Sequence, residues 1–147
     1  MKKKAMWLIA AAVFAADRVT KILAGGIPPE GIPLIPEVVR LRYAENTGAA
    51  FSMLSGHPWL LGVLSLVIIA GAFLSLRKKN IPALAMTGLM MMLGGGAGNL
   101  TDRLLTGYVP DLFEFLFVRF AVFNVADIFL VAGCGLIMVD LVRRNSR

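Results

Sequence analysis

Four apolar runs of nearly equal length leave this chain few ways to fold. Pro58–Leu76 is nineteen residues without a charge, and Ile81–Thr101 is twenty-one. Phe120–Val139 is twenty residues long, with Asp127 its only charged residue. Ala5–Leu23 is apolar for twelve residues and then carries Asp17, Arg18 and Lys21. At 1.5 Å of rise per residue, about 20 helical residues cross a hydrocarbon core, so each run is a candidate transmembrane helix. A hydrophobic fraction of 58% and a mean hydropathy of +0.77 lie above the usual soluble range. The expected fold class is therefore an all-α polytopic membrane protein, one domain over residues 1–147, with four transmembrane helices.

The net charge of +6 does not point to nucleic acid, because of where the charges fall. Nine of the fifteen Lys/Arg residues are Lys2–Lys4, Arg77–Lys79, Arg143, Arg144 and Arg147, at the two termini and between the second and third runs. The positive-inside rule places all three groups in the cytoplasm, which an even number of spans requires. Trp7 and Trp59 stand at span ends, where interfacial aromatics belong. The expected location is a membrane with both termini cytoplasmic, with membrane lipid and not nucleic acid around the chain. Met1–Ala16 also has the features of a secretory signal. Removing it would leave three spans and put the remaining basic groups on opposite sides, so it is read as the first span.

The remaining segments have a different character. Gly25-Gly26 ends the first run, and Pro28, Pro29, Pro33 and Pro36 prevent another helix. Val39–Tyr43 alternates apolar and polar residues, the period of a half-buried strand, which predicts a small outer β element over about 25–56. Asn46–Ala50 reads as a turn back to the membrane. Residues 105–119, with phenylalanines at 113, 115 and 117, read as a segment lying at the outer interface. Cys134 is single and mid-span, so neither a disulfide nor a CxxC metal motif is expected. His57 is read as an interfacial polar residue.

The polar residues within the spans share one depth. With both termini inside, Asp17 and Lys21 come late in the first span, and Asn99, Asp102 and Arg103 end the third. Asn46 and Gly48 shortly precede the second, while Asn124 and Asp127 open the fourth, three apart and so on one helix face. All fall in the outer third of the bilayer. An ionised carboxylate at the centre of a membrane helix costs ~2.5–3.5 kcal/mol on insertion scales, and acids within spans tend to be functional. Asp17 and Lys21, at i and i+4, read either as a charge-neutralising pair or as substrate contacts. Gly94 and Gly98 have the four-residue spacing that lets helices approach closely.

Taken together, Asp17-x-x-x-Lys21, Asn46-Thr47-Gly48-Ala49-Ala50-Phe51, Gly95-x-x-Gly98-Asn99-x-x-Asp102-Arg103, Val109-x-Asp111 and Phe123-Asn124-x-Ala126-Asp127 resemble bacterial lipoprotein signal peptidase, or signal peptidase II. The five motifs occur in the family's order and span nearly the whole chain. The resemblance implies a metal-independent aspartyl intramembrane protease. Such an enzyme cuts the signal peptide from diacylglyceryl-modified prolipoproteins just before the lipidated cysteine. It further implies that Asp111 and Asp127 are the catalytic pair and that Asn46 and Gly48 lie beside the substrate peptide. Asn99, Arg103 and Asn124 would line the site, and Asp17 and Lys21 would brace the first helix.

The residues suit that chemistry on their own terms. Two neighbouring carboxylates do not easily both ionise, so one can activate water while the other polarises the scissile carbonyl. The sequence shows no serine–histidine pair, no reactive cysteine setting and no metal cluster, and no cofactor is expected. A transporter would place its polar groups near the midplane and often carries internal repeats; a scaffold leaves the aligned acids unexplained. Asp102 adjoins Arg103 at a helix C-terminus and is expected to pair with it as structural support, which leaves Asp111 as the partner of Asp127. Four helices around one site suffice without a partner subunit, and a monomer is expected.

Overall fold

The computed structural model describes residues 3–48, 58–77 and 80–146, in the order α1 (Lys3–Ala24), β1 (Ile32–Ile35), β2 (Val39–Asn46), α2 (Pro58–Ser75), α3 (Ala83–Leu105), β3 (Val109–Phe115) and α4 (Val125–Asn145). Ala49–His57 lie outside the described residues, so the turn expected over Asn46–Ala50 is seen only as far as Gly48. His57 lies outside them too, as does the Lys78-Lys79 part of the loop between α2 and α3.

Glycines decide how the helices meet. α3 packs against each of the other three helices, and at Gly94 and Gly98 its side facing α1 is reduced to backbone. A Cβ on Gly94 would meet the carbonyl of Ala10, and one on Gly98 would run into the Asp17 carboxylate. The Gly94/Gly98 spacing is thus used against α1. α4 crosses on a different side, where Gly88 and Gly133 face each other and an added Cβ on either would strike the other's carbonyl oxygen. These contacts run α1 parallel to α3 and α4 antiparallel to it. The Phe73 ring of α2 lies tilted against Trp7 of α1, 6.5 Å between centroids, while Ile69 faces Gly96, so α2 also runs antiparallel.

α3 and α4 are long and apolar enough to cross a membrane. α3 is mostly buried, whereas α4 turns large aliphatics outward, Val131 at 74% exposure and Val142 at 61%. α2 does the same with Leu66 and Val67. Apolar surface of this kind needs an apolar solvent to cover it.

The β element is larger than the sequence reading allowed. β1, β2 and β3 form one antiparallel sheet in that order, with β3 taken from the segment expected to lie flat at the interface. Its Val109, Asp111, Phe113 and Phe115 alternate with period two, which is a strand signal. Between the pairs Leu41–Phe113 and Ala44–Asp111, β2 has one residue more than β3, a β-bulge. Because strand faces alternate, that extra residue brings Ala44 and Asn46 onto the face of Asp111; an unbroken register would put Tyr43 and Glu45 there.

α4 starts at Val125, not at Phe120, which corrects the fourth span. Phe123 pairs with Phe113 through backbone hydrogen bonds in both directions, so the chain just before α4 is bridged to β3 and is not helical. Asn124 then caps the helix: its side chain accepts from the Asp127 N–H, and the Asp127 side chain accepts from the Asn124 N–H. This reciprocal box ends the extended chain and starts the helix. Asp127 lies in the first turn of α4, not two turns down.

Candidate active site

Asp17, Lys21, Asn46, Gly48, Asn99, Asp102, Arg103, Asp111, Asn124 and Asp127 belong to one continuous hydrogen-bond network. Two carboxylates stand at its centre, Asp111 from the middle of β3 and Asp127 from the first turn of α4. Asp111 Oδ1 accepts from Asn124 Nδ2 at 2.6 Å and Oδ2 from Asn46 Nδ2 at 2.8 Å. Asp127 Oδ1 accepts from Asn99 Nδ2 at 2.8 Å and Oδ2 from the Asn124 backbone N–H at 3.2 Å.

The three asparagine side chains are all oriented the same way. The amide oxygen of Asn46 accepts from the Gly48 N–H, that of Asn124 from the Asp127 N–H, and that of Asn99 from Lys21 Nζ. Each of these donors can only donate. Each amide oxygen is therefore fixed on its own support, and each NH₂ must point to a carboxylate. Gly48 matters here as a backbone donor.

Behind Asn99 lies a cluster of four charges. Lys21 Nζ lies 2.9 Å from Asp17 and 2.7 Å from Asp102, with both lysine and aspartates almost wholly buried. Arg18 reaches both Asp102 oxygens, at 2.6 and 2.8 Å, and also Asp17 and the Gly98 carbonyl. Two anions face two cations, and the cluster is neutral. Asp102 is thus held by Arg18 and Lys21 from α1, which corrects the expected pairing with Arg103. Arg103 instead donates to the Asn99 carbonyl at 3.3 Å. Asp17 also accepts the Ala126 N–H at 3.2 Å, taking up one of the free donors at the start of α4.

Sequence reasoning passed over Arg18. It sits one residue from Asp17, and neighbours on a helix do not share a face. Only the close approach at Gly98 brings Asp102 within its reach.

A cavity of about 680 Å³ opens over the carboxylates. Asn46, Gly48, Asn99, Arg103, Asp111, Asn124 and Asp127 line its polar wall, and Leu64 and Ile68 of α2 with Val131 of α4 its apolar one. Asp111 lies outside the spanning helices. Burial pushes its carboxyl up to about 6, and the negative charge of Asp127 adds to this, against the opposing amides of Asn46 and Asn124.

The sequence matches the family described as Signal peptidase (SPase) II over residues 9–143. The chain belongs to the signal peptidase II family. A lipoprotein signal peptidase of Brevibacillus brevis is 37% identical over 142 residues, 92% of this chain and 95% of the relative. One from Desulfitobacterium hafniense is 38% identical over 145 residues, 97% and 95% of the two chains. A solved structure described as a bacterial membrane enzyme, determined by the in meso method at 2.3 Å resolution, superposes with a TM-score of 0.88 at 26% identity, covering 97% of this chain and 90% of the other. A signal peptidase II fold with outward-facing apolar helices is an integral membrane protein, and its family chemistry is peptide hydrolysis.

Proposed function

We propose that this signal peptidase II family member is an aspartyl intramembrane endopeptidase that removes the signal peptide of diacylglyceryl-modified prolipoproteins just before the lipidated cysteine. One observation carries the reading: Asp111 and Asp127, from different elements, line one cavity, and amide or N–H donors hold all four of their oxygens. Such a pair can hold one proton between them, with one member drawing a proton from water and the other donating to the scissile carbonyl. The fixed donors preorganise both groups, so little rearrangement accompanies the reaction. The apolar wall between α2 and α4 suits a signal peptide and acyl chains arriving from lipid.

Four membrane-spanning helices, cytoplasmic termini and an extracytoplasmic site complete the proposal. Asn99, Arg103, Asn124, Asn46 and Gly48 position the carboxylates and substrate, and Asp17, Lys21 and Asp102 brace them. The chain acts as a monomer, which a protein-dependent crosslinking ladder in native membranes would contradict.

Asp111→Asn and Asp127→Asn test the pair. Each variant should insert and bind lipidated peptide yet lose at least about a hundredfold in turnover, since general acid–base catalysis contributes 10²–10⁴-fold. Substantial cleavage by purified Asp111→Asn would remove it from the pair.

A further inference from the structure

A second cavity, of about 810 Å³, adjoins the first. The two share Asn46, Gly48, Asp111, Phe115 and Phe120–Val122, so Asp111 lies where they meet, and Asp127 lines the first. Their remaining walls differ in chemistry. Aliphatic side chains of α2 and α4 line the first; the second mixes Glu45, Thr47, Glu114 and Arg119 with Leu116, Phe117 and Val118, and is the more polar of the two.

The charges in the second cavity are not equivalent. Glu114 is already taken up by Arg40, at 2.8 Å from its Nε, and by Arg42 at 3.4 Å. Among the described residues, Glu45 receives only a 3.3 Å contact from the Tyr43 hydroxyl. Arg119 is exposed and has no hydrogen-bond or ion-pair partner among the described residues. One available charge of each sign therefore stands on the two segments that line the cavity.

A bond cut where the cavities meet has a product on each side. On the proposed reading of the site, the apolar cavity takes the signal-peptide side. The chain beyond the lipidated cysteine is bound for water and needs a polar path. We propose that the second cavity binds this mature-side segment in extended form, and that Arg119 and Glu45 read its charge. The segment is a polypeptide of a few residues, favoured when an acidic side chain meets Arg119 or a basic one meets Glu45.

The test uses purified full-length protein and three synthetic diacylglyceryl-modified peptides. They are identical through the lipidated cysteine and carry Asp, Lys or neutral residues just after it. Arg119→Glu should lower kcat/KM on the Asp peptide about five-fold relative to the neutral one and raise it on the Lys peptide, the scale of an exposed charge contact. Glu45→Lys should do the reverse. Equal effects of Arg119→Glu on all three peptides would overturn the proposal and make the residue a membrane or folding contact. So would an unchanged preference in both variants. Failure of every form to cut any peptide would instead sink the peptidase reading on which the proposal rests.

Discussion

At the scale of single residues, the site depends on asparagine as much as on aspartate. Asn46, Asn99 and Asn124 each take one fixed donor on oxygen and turn NH₂ to a carboxylate. A carboxylate in their place would repel its neighbours, and an aliphatic residue would leave the acids unheld. On the proposed roles this gives a pH dependence with a definite sign. Asp111, raised to about 6, has a proton to donate below that value and loses it above. kcat/KM of the free enzyme should therefore fall as pH rises through about 6, and the apparent value belongs to the coupled pair. The Asn46 amide favours the ionised form, so Asn46→Ala should move this limb to higher pH while lowering the maximum. Initial rates across the acid-to-neutral range would show it; a limb that stays in place, or moves down, would contradict the assignment. Asn99 and Asn124 were legible because hydropathy exposes a polar residue in an apolar run, and Asn46 because the resemblance points to it. Their partners were not, because a hydrogen bond between Asn99 and Asp127 depends on how α3 and α4 cross.

At the scale of elements, α1 is held to α3 by a buried, neutral cluster of Asp17, Arg18, Lys21 and Asp102. Breaking a buried ion pair by removing one partner costs about 3–5 kcal/mol, because a charge is left without its counterpart. Arg18 keeps a quarter of its side chain exposed, which moves the expectation to the lower end. Asp102→Asn should thus lower thermal stability markedly and retain measurable cleavage, since the pair itself is untouched. Adding Arg18→Gln restores neutrality and should recover part of the loss. A double variant less stable than the sum of the two singles would show that charge balance is not what the cluster supplies. The i,i+4 spacing made Asp17 and Lys21 readable as a pair, whereas Asp102 was assigned to its neighbour Arg103 on sequence proximity alone. The fourth helix and third strand were misjudged for a related reason. Hydropathy cannot separate an extended stretch of phenylalanines from a helix of similar content. The signals that could have done so were the period-two pattern of β3 and the Asn124/Asp127 capping spacing.

At the scale of the whole molecule, the alternating helices put two kinds of chemistry at opposite ends. The start of α1, the end of α2 and the end of α4 share one end, which carries Arg77, Arg143 and Arg144. The sheet, the end of α3 and the start of α4 share the other, which carries both carboxylates. Because Lys/Arg bias retains flanking segments in the cytoplasm, the proposed orientation has the basic end inside and the sheet outside. Membrane-topology reporters fused at Lys78 and Arg147 should therefore read as cytoplasmic, and reporters at Glu37 and Glu114 as extracytoplasmic. Glu37 precedes β2 and Glu114 lies in β3, in separate connections between helices. β2 and β3 pair along their length, so both must lie on the same side of the membrane. A cytoplasmic signal at Glu37 together with an outer one at Glu114 would be incompatible with that sheet. Cytoplasmic signals at both would invert the molecule, placing the carboxylates on the face where no exported lipoprotein could reach them.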